Sequence, residues 1–458
     1  MFEHRNEYFY AQYYYLGGIF MIKGFNKKLI ENNDSLLLAL SGGIDSMVML
    51  DIIEKLKNEM NLKLYIAHVD HQKRISSKDD RDFVVETANE LNIPCFVESL
   101  EGDYDDNFHD YAHKKRYDFF YKVAKDNNIN KIVLAHNAND NAETILMRLN
   151  RGSSFEGYRG ILEKAEYKGI KIIRPLLQVS RSDIEVYQQA NLIPYQNDPS
   201  NDMDDYTRNR YRHHLLPILE NENPKFLEKF AQFSYYQTLS YELIESISEA
   251  FLSKLVFDDK IVIKIKDILN NQQIIQIELI KRIINRLTDN KVELSFQNIL
   301  DILNLINNEK PHVEFEIENK IYLYKSYDNI VFQTSKYQPI EYNELIDNYK
   351  EISLPNGYLV DITKNANKNY GFLYKLCYNN LDLIFPLSVR NRQDGDKIKL
   401  KSGTKKLKDV FIDKKIPKKE RDSLPIFLDK TGEIIFIPGI YSKETTGDNE
   451  LYICVQKG

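Results

Sequence analysis

The run Ser41-Gly42-Gly43-Ile44-Asp45-Ser46 constrains this chain more than any other feature. It follows the apolar residues 36–40 and opens a segment in which Val48, Met49, Ile52, Ile53 and Leu56 recur at helical spacing. Two glycines and two serines therefore occupy a tight turn between a buried strand and a helix N-terminus. Free backbone N–H groups and the helix dipole make such a place an anion site. Glycine lets the backbone approach closely, and serine hydroxyls add donors. The cradle is not a Walker loop, which needs Gly-Lys-Ser/Thr after a spaced glycine. Nor is it a dinucleotide fingerprint, which needs a third glycine at the helix start.

The pattern around the cradle implies a parallel sheet. Strands are expected at 36–40, 63–68, 94–100 and 131–136, alternating with helices from Asp45, at 78–91, 111–125 and 138–149. In such a fold ligands bind beyond the C-terminal strand ends, where Ser41, His68 and His136 fall. Residues 217–305 read as helical, with apolar periodicity at 226–233 and 274–287. Short strands are expected at 313–317, 321–324 and 330–332, followed by a mixed region ending in strands at 433–437 and 451–455. The fold class is therefore α/β: an N-terminal parallel-sheet domain at 21–216, a mainly helical central domain at 217–335 and a small mixed α+β domain at 336–458.

A chain of 458 residues is long enough for such a division. Its net charge of −6 excludes a global basic field, so any nucleic-acid site must be local. The three cysteines, Cys95, Cys377 and Cys454, form no metal or disulfide spacing, as suits a reducing cytoplasm. No apolar run reaches the length of a membrane span. Residues 1–20 are rich in Tyr and Phe and lack the features of a signal peptide. They read as an upstream mis-start or a dispensable extension before Met21.

Four further constellations carry chemistry. His68-Val69-Asp70-His71-Gln72-Lys73-Arg74 leaves a strand end with groups suited to nucleotide or RNA phosphate. His136-Asn137-Ala138-Asn139-Asp140-Asn141-Ala142-Glu143-Thr144 opens a helix that Asn139 or a neighbour can cap. Asp140 and Glu143, spaced i,i+3, share a face there and can hold Mg²⁺ or an ammonium group. Asn197-Asp198-Pro199-Ser200-Asn201 precedes Arg208, Arg210 and Arg212, which step ~200° apart on a helix and so form no single stripe; a loop lined by arginines is the alternative. Residues 390–421 hold thirteen Lys and Arg within a loop-rich stretch suited to RNA backbone contact. Each has a bland reading too: a polar strand exit, an acidic first turn, a solvated charge run.

Together these runs resemble the bacterial tRNA(Ile)-lysidine synthetase family, within the PP-loop N-type ATP pyrophosphatases. The cradle is shared with many PP-loop enzymes. More specific are the His68–Arg74 run, Arg116-Tyr117, the acidic helix start, 198–201 with 208–212, and the C-terminal pattern from Val389-Arg390 through Gly395-Asp396-Lys397 and Lys406-Leu407-Lys408 to Ile416-Pro417 and Arg421. The sequence departs from the family pattern at Asn139, Asn141 and His113, where an aspartate, a glutamine and an arginine are usual.

The resemblance implies ATP-dependent adenylation of C2 of the wobble cytidine in the CAU anticodon of an isoleucine tRNA. Free L-lysine then displaces AMP and leaves lysidine, which pairs with A. It implies ATP and Mg²⁺ as cofactors, a cytoplasmic location, no membrane, and allows a homodimer. Ser41, Gly42, Gly43, Ile44, Asp45 and Ser46, with His68 and His136, are then the nucleotide residues. Asp45 and Asp140 are the metal residues. Asp45, Asp140, Glu143, Arg116 and Arg208 are the catalytic set, with Asp140 and Glu143 on the lysine ammonium and the arginines on phosphate charge. The basic C-terminal block is expected to grip the tRNA. Three rivals stay open. A tRNA thiolase would need a reactive cysteine pair that the spacing does not supply. An amidotransferase-type synthetase would need a glutaminase nucleophile. A non-catalytic RNA binder with a degenerate nucleotide site is kept open by Asn139.

Overall fold

The computed structural model describes residues 13–16, 19–70, 77–99, 108–197, 203–317, 320–366, 369–380, 384–401 and 403–457. They fall into two compact units, Met1–Leu243 and Ile244–Gly458. Of the segments singled out in the sequence, residues 1–12, 71–74 and 198–201 lie outside the described residues.

The first unit opens with an antiparallel hairpin of β1 (Tyr13–Leu16) and β2 (Ile19–Ile22). A six-stranded sheet follows. Its strands are β3 (Ser35–Ala39), β4 (Lys63–Asp70), β5 (Cys95–Ser99), β6 (Lys131–Val133), β7 (Lys164–Tyr167) and β8 (Ile170–Ile173), in the order β5-β4-β3-β6-β8-β7. β3 pairs in parallel with both β4 and β6. Its residues Leu36, Leu37 and Leu38 are buried, because helices cover both faces of a parallel sheet. One face packs α1 (Ile44–Lys57) through Met47, Val48, Ile52 and Ile53, together with α2 (Ser77–Glu90). The other packs α3 (Phe108–Asp126) through Tyr117, Phe120 and Val123.

The strand order reverses between β3 and β6, and the loops after these two strands open the crevice in which ligands of such sheets bind. After β6 comes α4 (Ala138–Arg151), and after β8 comes α5 (Arg181–Asn191). The parallel sheet is as expected, with three corrections. β7 is an antiparallel edge strand that periodicity did not single out. β4 runs on to Asp70, so His68 lies within the strand and not beyond it, whereas β6 ends at Val133, so His136 sits in the turn beyond its strand and not at its end.

The second unit contains helices Gln273–Leu287 and Phe296–Asn307 and an antiparallel sheet of His312–Ile317, Ile321–Ser326, Asn329–Gln333 and Lys260–Lys264. The three hairpin strands were expected. Lys260–Lys264 corrects the reading of 217–305 as wholly helical: its alternating exposed and buried residues give it strand periodicity. Beyond it lie a five-stranded and a four-stranded antiparallel sheet with a shared core built on Leu387, Val389, Phe427, Phe436, Leu451 and Ile453. The hairpin Lys397–Leu400 with Gly403–Lys406 and the helices Leu407–Asp413 and Lys418–Ser423 complete it.

Candidate active site

The cradle forms as its residues dictate. Gly42 has φ +86°, a conformation that L side chains rarely adopt. Gly43 caps α1 with extended backbone and no side-chain cap, so the helix N-terminus stays open to a ligand. Ser41 Oγ accepts from Gly43 N at 3.2 Å, and Ser46 Oγ donates to Gly43 O at 2.8 Å. The two serine hydroxyls are 3.3 Å apart.

α4 is capped by Asn137, not Asn139. Its side chain accepts from Asp140 N while Asp140 Oδ2 accepts from Asn137 N, a reciprocal capping box. Asn137 Nδ2 also donates to Asp45 Oδ1 at 3.1 Å. Asn139 Oδ1 instead accepts from the backbone N of Arg181 at 3.0 Å. A carboxylate at 139 would make the same bond, so asparagine keeps this contact. Asn141 Oδ1 accepts from Ile161 N at 2.7 Å, again with its oxygen alone.

Asp45 Oδ2 receives Arg181 Nη1 at 2.6 Å. Burial holds the Asp45 carboxyl above its ordinary value; Arg181 opposes this, Asp140 adds to it and Asn137 opposes it. Asp140 therefore acts on Asp45 as a like charge. Among the described residues, no group of three or more His, Cys, Asp or Glu is placed to hold a metal ion. A pair of carboxylates beside phosphates is nonetheless the usual Mg²⁺ environment.

Glu143 is 0 % exposed and carries two arginines. Arg208 Nε reaches Oε2 at 2.9 Å, and Arg212 Nε reaches Oε1 at 2.8 Å. Arg212 also donates to Asp140 Oδ1 at 3.2 Å. This corrects the loop alternative for the arginine run. Thr207–Arg210 is helical and continues into a π-turn at Tyr211–Leu215, so Arg208 and Arg212 face one way, four residues apart. Arg210 turns away to the carbonyls of Asp204 and Asp205.

Among the described residues, two buried nitrogens in this region have no partner: His68 Nε2 and Arg116 Nε. His68 donates through Nδ1 to Leu40 O at 2.9 Å, so its Nε2 is an unused acceptor. Arg116 lies over the Tyr117 ring at 5.7 Å. Burial pulls its guanidinium below its ordinary value, and Arg208 and Arg174 add to this. His136 accepts from Arg174 Nε through Nδ1 at 3.3 Å. Burial, with Arg174, Arg116 and Arg208 nearby, pushes it down to about 3 against the pull of Asp140. The site thus holds a neutral histidine among arginines, two of whose charges are answered by the buried Glu143.

Arg174 and Arg181 were not singled out in the sequence. Both follow β8, a four-residue strand whose short apolar run gave no periodic signal. Cys95 is also clarified: burial pushes its thiol up to about 11, the opposite of a reactive thiolate.

A PP-loop domain model matches residues 21–219, and a TilS substrate C-terminal domain model matches residues 387–453. The tRNA(Ile)-lysidine synthase of Geobacillus kaustophilus is 32 % identical over 90 % of this chain and 92 % of its own length. The chain belongs to the tRNA(Ile)-lysidine synthase family. The corresponding enzyme of Bacillus subtilis is 31 % identical over 89 % of each chain. The bifunctional protein TilS/HprT of Listeria innocua is 34 % identical over 93 % of this chain and 68 % of its own. Membership accounts for the pairing of an ATP-using PP-loop domain with a basic C-terminal module. No helix among the described residues is long and apolar enough to cross a membrane.

Proposed function

We propose that this protein ligates L-lysine to C2 of the wobble cytidine in the CAU anticodon of tRNA(Ile), consuming ATP and releasing AMP and diphosphate. The C2 oxygen attacks the α-phosphorus and pyrophosphate leaves. The ε-amine of lysine then bonds to C2, the C2–O bond breaks, AMP departs and the amine loses a proton. The base now pairs with A, so the codon read changes from AUG to AUA. The observation that carries this reading is the open, glycine-built helix N-terminus facing a cluster of arginines on one buried glutamate.

The cradle 41–46 takes the terminal phosphates on backbone N–H groups and the two serines. His68 Nε2 supplies a buried acceptor for a base amino group. Arg116, whose Nε has no partner among the described residues, stabilises charge developing on the α-phosphate. Asp45 and Asp140 would hold Mg²⁺, which neutralises phosphate charge when bound. Glu143 places Arg208 and Arg212, because both of its oxygens are occupied by them. Asp140, 17 % exposed where Glu143 is fully buried, is then the carboxylate more open to the lysine ammonium. His136, neutral with its proton on Nε2, is a donor to phosphate oxygen that adds no charge.

In the second unit the basic block divides. Arg390 pairs with Asp396, Arg392 with Asp422, and Arg421 donates to Ile416 O and packs against His312 and Tyr327. Lys397, Lys406, Lys408, Lys414 and Lys415 are exposed and have no partner among the described residues. Those lysines contact tRNA phosphate, and the arginines hold the fold. The three-part division at 216 and 335, the cytoplasmic location and a homodimer belong to the same proposal.

The test is pyrophosphate release from ATP on adding a CAU-anticodon tRNA(Ile) transcript. Release that disappears with a C-to-U change at the wobble position is expected. Release independent of that base would overturn the substrate assignment.

A further inference from the structure

The cradle motif ends at Ser46, yet a residue 136 positions beyond Asp45 reaches into it. Arg181 begins α5 and donates from Nη1 to Asp45 Oδ2 at 2.6 Å, and from Nε to Glu185 Oε1 at 2.9 Å. Among the described residues its Nη2 has no partner, and its side chain is 39 % exposed, so donors remain for a ligand.

The backbone around it is fixed to the cradle from several sides. Arg181 N donates to Asn139 Oδ1 in the first turn of α4. Ala138 N donates to Val179 O at 2.9 Å. Gln196 N, just beyond α5, donates to Gly42 O in the cradle itself at 2.9 Å. The N-termini of α1, α4 and α5 therefore converge on Asp45, and their dipoles sum to a strongly anion-attracting place. A carboxylate alone there would repel a triphosphate. Paired with Arg181 it becomes an anchor that holds a guanidinium at the rim.

Resting on the nucleotide reading above, we propose that Arg181 is a phosphate-binding residue of the cradle. Its ligand is the pair of terminal phosphates of ATP and the inorganic pyrophosphate they become, with Asp45 and Glu185 aiming it. With Nε and Nη1 held by the two carboxylates, Nη2 is fixed in a plane and its N–H groups suit phosphate oxygens, a geometry a lysine would not reproduce.

The experiment is calorimetric titration of the full chain with inorganic pyrophosphate and, separately, with AMP, without tRNA or lysine. Both titrations are run with and without Mg²⁺ on the wild type, R181A, R181Q and R181K. A charge-assisted hydrogen bond is worth enough that R181A and R181Q lose about tenfold or more in pyrophosphate affinity. AMP affinity stays unchanged, and R181K recovers part of the loss. R181Q keeps a side chain able to bond Asp45, so it serves if R181A does not fold. Unchanged pyrophosphate affinity, or an equal loss for AMP, would overturn the assignment. Neither tRNA nor lysine enters the titration, so a failure of the lysidine reading would show separately.

Discussion

The cradle region and the C-terminal basic block use arginine in opposite ways. Around Glu143, arginines gather on a buried carboxylate and leave donors facing the crevice: Arg116 Nε is unpartnered, and Arg208 and Arg212 are each more than a third exposed. In the basic block, Arg390 and Asp396 are about 11 % and 10 % exposed and satisfy each other. There the exposed lysines carry the unspent charge. A guanidinium can brace a fold or face a ligand, and only its partners tell which.

The largest effect is expected from breaking the first arrangement. Glu143→Ala leaves two arginines without their shared buried carboxylate. Both arginines are more than a third exposed, so water softens the stability cost to about 1 kcal/mol. Misplacing them should lower lysidine formation by roughly a hundredfold. Asp396→Ala in the second region should lower the melting temperature yet leave single-turnover adenylation unchanged in protein that remains folded. An equal catalytic loss in both variants would erase the distinction.

Next in size is the lysine set. Replacing Lys397, Lys406 and Lys408 with Ala together should weaken tRNA binding and flatten the dependence of log K on log salt by about 2. Arg390→Ala should leave that slope unchanged. A slope change with Arg390→Ala and none with the lysines would reverse the assignment.

Much of this site was legible in the sequence. The cradle, the i,i+3 carboxylates and the alternation of strand and helix are local patterns, and local hydrogen bonding and periodicity fix them. Arg181 and Arg174 were not legible, because they reach the site from beyond β8 across the sheet. The role of Glu143 was also hidden. Spacing showed that it shares a face with Asp140, but not that Arg208 and Arg212 occupy both its oxygens. Nor could spacing divide the basic block, since the carboxylate partners of its arginines are set by strand pairing and helix packing. In the arginine run, a π-turn rather than a regular helix follows Arg210, and the residues 198–201 before it lie outside the described structure.

Smaller effects sharpen the contrast further. His136 is held down to about 3 from an ordinary 6.5. Between these values the unfolded chain binds the proton and the folded one does not, so stability rises with pH across that window. The His136 contribution is fully present above about 6.5 and is lost as pH falls toward 3. Chemical denaturation of His136→Gln should show a flatter pH dependence between 6 and 4 than the wild type; an unchanged profile would remove histidine from the cationic cluster. Gly42→Ala places a side chain at φ +86°. It should cost about 1–2 kcal/mol of stability and weaken ATP binding. A stabilised variant with intact binding would show that the cradle backbone is free to adjust.

The most direct test of the whole account is a single incubation of the protein with ATP, Mg²⁺, radiolabelled lysine and CAU-anticodon tRNA(Ile), beside a transcript with uridine at the wobble position. The account predicts label in the first transcript only, lost with Glu143→Ala. Label in neither, with ATP binding intact, would contradict it and leave an RNA-binding protein with a nucleotide site that performs no ligation.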